Sequence, residues 1–90
     1  MTRPEAQTLV ESLKAKFGGE AETEEVAPGR FRFAIVSPQF TNISPLQRQD
    51  QIWELVDATL NREQRFDVSL ILAFAPDDVE SLEWYRVEHT

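Results

Sequence analysis

The chain contains no cysteine, and among its ninety residues there is only one histidine, His89. Without cysteine there are no disulfides, no thiolate metal ligands and no thiol nucleophile. A cysteine-free chain fits a reducing compartment. With histidine confined to the C-terminal end, a hydrolase would need paired carboxylates in a cleft, and no such pair is marked. We therefore expect no enzyme activity and no resident cofactor or metal. Long apolar runs are missing too. The longest, Val68 to Ala75, has the length of a strand and falls far short of the roughly 20 residues that span a bilayer. The start, MTRPEAQTLVESLKAKF, is amphipathic and lacks the pattern of a signal peptide. The expectation is a soluble cytoplasmic protein.

Positive charge is scarce. Sixteen acidic residues face nine basic ones, for a net charge of −7. Binding nucleic acid requires clustered Lys and Arg to neutralise phosphates. Here Arg30, Arg32, Arg48, Arg62 and Arg65 are scattered among carboxylates. This balance argues against nucleic acid and anionic membranes and favours a protein partner. The carboxylates Glu20, Glu22, Glu24 and Glu25 do not make a cation site, because a strand would divide them between two faces.

What remains is a good fold signal in a single domain, residues 1–90. Thr2-Arg3-Pro4-Glu5 is a capped helix start, and Ala6, Leu9, Val10, Leu13 and Phe17 follow at helical spacing before Gly18-Gly19 stops the element. Glu20 to Val26 is either an exposed loop or a short, charged edge strand. Ala27-Pro28-Gly29-Arg30 fits a type II turn. In RFRFAIV, Phe31, Phe33 and Ile35 alternate with Arg30, Arg32 and Ala34, which makes a strand with one core face and a hairpin across the turn. Pro38 ends it. Ser44-Pro45-Leu46-Gln47 opens a second helix, with Ile52, Trp53, Val56 and Leu60 as its apolar face and Leu55 beside them. NREQRFD is a polar connection. VSLILAFA is a strand apolar at nearly every position, so it is either covered on both faces or central. Asp77, Asp78 and Glu80 can start a last short helix, packed down by Leu82, Trp84 and Tyr85. The order α-β-β-α-β-α predicts an α+β domain: a three-stranded mixed sheet with helices on one face. The connection through the long helix suffices for a crossover to a parallel neighbour.

The stretch FRFAIVSPQFTNISPLQRQDQIWELV resembles the core of BolA-like proteins. Their pattern is a strand ending in Val-Ser, then two residues, Phe, a short polar loop, Ser, and Arg-His-Arg at a helix start. Val36-Ser37, Phe40, Ser44 and Arg48 stand at matching positions, and the flanking elements extend the likeness over nearly the whole chain. The resemblance implies the family's fold, akin to a type II KH domain. It also implies a partner, a monothiol glutaredoxin, with which BolA-like proteins share a histidine-ligated iron–sulfur cluster, and so a role in iron–sulfur homeostasis or stress response. The ligand positions depart from the pattern. The helix-start histidine falls at Gln49, the arginine after it at Asp50, and a second histidine near Phe74. A glutamine carbonyl is a poor donor to iron, and phenylalanine is none.

The functional reading is thus a non-catalytic interaction domain, monomeric or weakly dimeric, with Phe40, Ser44, Arg48, Gln49 and Asp50 as candidate partner-binding residues. Its rival for positions 48–51 is the solvated first face of a helix. An alternative function is a nucleic-acid-binding module or transcriptional regulator using the KH-like fold. The chain lacks the Gly-x-x-Gly loop with which KH modules clamp a backbone.

Overall fold

The structure, a computed structural model, describes residues 1–78. Helix α1 spans Arg3–Phe17, strand β1 Glu20–Ala27 and strand β2 Arg30–Val36. A 3-10 turn at Pro38–Phe40 leads to α2 (Pro45–Thr59), α3 (Arg62–Phe66) and strand β3 (Val68–Phe74). The Thr2 hydroxyl accepts the Glu5 amide at 3.3 Å, and the Glu5 carboxylate accepts the Thr2 amide at 2.8 Å. This capping box satisfies backbone donors that a helix start leaves free. Ser44 and Gln47 repeat the arrangement at α2. Between α1 and β1, Gly19 has φ +76°, and a Cβ there would sit 2.0 Å from the Val36 carbonyl oxygen. No side chain fits this close approach of two backbones.

The sheet order is β1-β2-β3, antiparallel between β1 and β2 and parallel between β2 and β3. Both long helices lie on one face. Phe31, Phe33 and Ile35 of β2, with Val68 and Ile71 of β3, meet Leu9, Leu13 and Phe17 of α1 and Ile52 and Val56 of α2 in one buried cluster. Trp53 and Leu55 pack at its margin.

Three expectations need correction. The polar connection after α2 contains helix α3, because Asn61 Oδ1 accepts the Gln64 amide at 2.8 Å and Gln64 Oε1 accepts the Asn61 amide at 2.9 Å. The apolar strand β3 is not central, and the two long helices cover only one of its faces. It is an edge strand, and Leu70 is 49% exposed. The open alternative for residues 20–26 resolves as an edge strand. The last helix begins earlier than expected: residues 76–78 are already helical, and Asp78 accepts the Ala75 amide at 2.9 Å. Glu80, Leu82, Trp84, Tyr85 and His89 lie outside the described residues.

Candidate functional site: the junction between β2 and α2

β2 delivers the chain into the 3-10 turn at Ser37, which is fully buried. Its hydroxyl donates to the Phe17 carbonyl at 2.5 Å and accepts the Gln39 amide at 3.1 Å, joining the turn to the end of α1. Its backbone amide donates to the Phe74 carbonyl at 2.9 Å. Phe40 is 0% exposed and stands 5.1 Å from Phe17, ring centre to ring centre, at a tilted angle. Asn42 turns the loop with φ +64°, a left-handed conformation that asparagine tolerates better than most residues.

Arg48 leaves the first turn of α2 pointing inward, its side chain only 12% exposed. Its Nε donates to the Ile43 carbonyl at 2.9 Å, and its Nη1 to the Ala73 carbonyl at 3.2 Å and to Asp78 Oδ2 at 2.8 Å. The guanidinium carbon lies 6.0 Å from the centre of the Phe40 ring, at the limit of a cation–π contact. The neighbouring Gln49 donates from Nε2 to the Ile71 carbonyl at 2.9 Å. Two adjacent side chains of α2 thus cap carbonyls of the edge strand β3. Two of the carbonyls that an edge strand would otherwise present to another chain are thereby occupied.

Positions 48–49 are therefore not a solvated face. Of the expected site residues, Phe40, Arg48 and Gln49 come together as an internally bonded frame. Ser44 spends its hydroxyl on the Gln47 amide, at 3.2 Å, and Asp50 is exposed. Phe40, being buried, holds the site and does not face a partner. The rim includes a residue that sequence reasoning passed over: Leu46, 73% exposed. Ser37, matched to the family pattern but not counted among the candidate site residues, and Asp78 also belong to the frame. For Asp78 the available signal was its place three residues after Ala75, the spacing of a carboxylate that closes a helix start.

The frame does not fit a histidine-ligated cluster. The Gln49 amide nitrogen is committed to Ile71, which leaves one weak carbonyl donor. Phe74 is paired with Val36 and carries no donor atom. No three His, Cys, Asp or Glu side chains converge among the described residues.

The Ala75 amide and the Arg48 guanidinium hold the Asp78 carboxyl below its ordinary range. The depressed value means that the folded state binds this proton less readily than the unfolded state. The resulting stability is present above about pH 4, where an unfolded aspartate is ionised, and is lost as pH falls through the lowered value. Asp78→Asn should flatten the pH dependence of the urea midpoint below pH ~4. An unchanged profile would show that the carboxylate is not so held. Glu5 titrates in the same sense, its carboxyl lowered by the Thr2 amide and then by Gln64, so the variant should retain some acid sensitivity.

The architecture defines an α+β domain with a mixed three-stranded sheet and its helices on one face. That architecture is similar to a solved structure, the BolA domain of SufE1 from Arabidopsis thaliana, with a TM-score of 0.64, over 87% of this chain and 98% of that one, at 22% sequence identity. The fold is BolA-like, as the resemblance implied. The chain matches no protein-family model, and no curated protein matches it in sequence. No helix among the described residues is long and apolar enough to cross a membrane.

Proposed function

We propose that this chain is a non-catalytic protein-interaction domain with a BolA-like fold, a diverged adaptor that docks a monothiol glutaredoxin without donating a ligand to its iron–sulfur cluster. One observation carries the reading. The β2–α2 junction is rigidly satisfied from within, yet it presents a large apolar side chain, Leu46, at 73% exposure beside polar Ser44 and Asp50. An exposed apolar anchor with a polar rim is the usual make-up of a contact patch. The frame of Phe40, Arg48 and Gln49 fixes the geometry of that patch.

Calorimetry with the host's monothiol glutaredoxin tests this directly. The expected result is a complex of micromolar affinity, weakened at least tenfold by Leu46→Glu with thermal stability unchanged. Absence of heat at high micromolar concentration removes this partner. Restoring the family pattern with Gln49→His and Phe74→His should not create cluster binding, because position 49 is turned onto β3.

A further inference from the structure

The face of the sheet opposite the helices has an unusual layout. Strand register places Glu24, Arg32 and Leu70 in one row, Glu22, Ala34 and Leu72 in the next, and Glu20, Val36 and Phe74 in the third. The alternating buried residues of β2 (Phe31, Phe33, Ile35) face the core, so these rows face outward. The column on β1 is acidic and the column on β3 is apolar. Ion pairs from Arg32 to Glu24 (2.6 Å) and Glu22 (3.6 Å) confirm that these side chains share a face. Glu20 has no ion-pair partner among the described residues. The two long helices, α1 and α2, both pack on the other face.

We propose that this outer face docks a basic amphipathic helix of a partner protein. The dimensions suit one helix. The axes of β1 and β3 stand roughly 9.6 Å apart, from a strand spacing of about 4.8 Å, and a helix with side chains is about 10–12 Å across. Glutamates at every second strand position repeat at about 6.8 Å. Helix positions four apart repeat at about 6.0 Å, so Lys or Arg at i, i+4 and i+8 can follow Glu24, Glu22 and Glu20. The apolar stripe of the same helix then covers Leu70, Leu72 and Phe74, and small Ala34 leaves room between the two columns.

Charge decides among occupants. A second copy of the chain would set one acidic column against another, or against the apolar column, and neither arrangement is complementary. Residues 79–90 carry Glu80, Glu83 and Glu88 against Arg86, and so bring further negative charge to an acidic face. A cationic helix neutralises the column and buries the leucines together. This surface is separate from the Leu46 rim, and the proposal stands independently of the glutaredoxin reading.

The test uses the full chain and a synthetic Leu/Lys amphipathic helix of about 15 residues, roughly 22 Å long, with a scrambled peptide of the same composition as control. Amide shift changes on titration should map to residues 20–24, 32–36 and 70–74. Glu22→Lys and Leu70→Ser should each weaken binding at least tenfold, and the scrambled peptide should bind at least tenfold more weakly. Arg32→Ala, which frees two glutamates from their internal cation, should tighten it several-fold. Equal binding of the scrambled peptide, or no shift change by about 1 mM peptide, overturns the proposal. So do nuclear Overhauser contacts in the free chain between residues 79–90 and Leu70 or Phe74, or a dimer by light scattering that Leu70→Glu dissolves.

Discussion

Phe40→Ala is expected to cost about 4 kcal/mol of folding stability, the middle of the range for removing a buried aromatic ring. The ring is fully buried, packs at 5.1 Å on Phe17, and lies beneath the Arg48 guanidinium. Its loss leaves a cavity where the 3-10 turn, the end of α1 and the start of α2 meet. A domain of this size has a total stability of only about 5–13 kcal/mol, so the variant should lose a large fraction of it. Phe40→Leu, which keeps most of the volume, should lose about 1.5 kcal/mol or less. Urea denaturation with an unchanged m-value measures both. A loss below about 1 kcal/mol for Phe40→Ala would mean that the turn is held by other contacts.

The second large effect is expected at Arg48. Arg48→Ala removes the donor that serves the Ile43 and Ala73 carbonyls and leaves both without it. Hydrogen bonds to a charged group contribute about 1.5–3 kcal/mol each, and water can recover part of that once the side chain is gone. The expected cost is about 3 kcal/mol. The ion pair with Asp78 adds little to it, since that carboxylate is 43% exposed and screened. The sorting is testable by comparison. Asp78→Asn should cost well under half as much, and Arg48→Lys should recover only a minor part, because an ammonium cannot reproduce a fork that reaches two carbonyls and a carboxylate. If Arg48→Lys were silent, the fork would not matter and charge alone would be the cause.

These effects follow from an orientation that the sequence contained in a readable form. Ile52, Val56 and Leu60 define the buried stripe of α2 and its end. Extended backward by four and three residues from Ile52, that stripe reaches Arg48 and Gln49. Polar residue types suggested a solvated turn, but helical periodicity had already assigned them to the core side. They are tolerated there because the carbonyls of an edge strand give them partners. Leu46 is the converse case, an apolar residue well off the stripe and therefore exposed.

Much of the fold was legible for similar reasons. The two long helices were bounded by capping boxes at Thr2 and Ser44, whose chemistry is local. The hairpin followed from Pro28-Gly29 and the alternation of Phe31, Phe33 and Ile35. The place of β3 was not legible, because a continuous apolar run fits a central strand as well as an edge strand with apolar residues on both faces. The bonds that seal its edge come from Arg48 and Gln49, more than twenty residues earlier. Strand order is a non-local property, and residue patterns within one element do not encode it. The role of Asp78 was obscured for a smaller reason: the helix it helps to start begins at 76, before the residues that looked like its cap.

The central claim is that the first turn of α2 is committed to holding β3, so that Gln49 is part of the frame. The side-chain amide of Gln49 reports on this directly by nitrogen-15 NMR. One Nε2 proton should be protected from solvent exchange and show scalar coupling across its hydrogen bond to the Ile71 carbonyl. Two Nε2 protons exchanging freely, at the shifts of an unstructured glutamine, would contradict the claim.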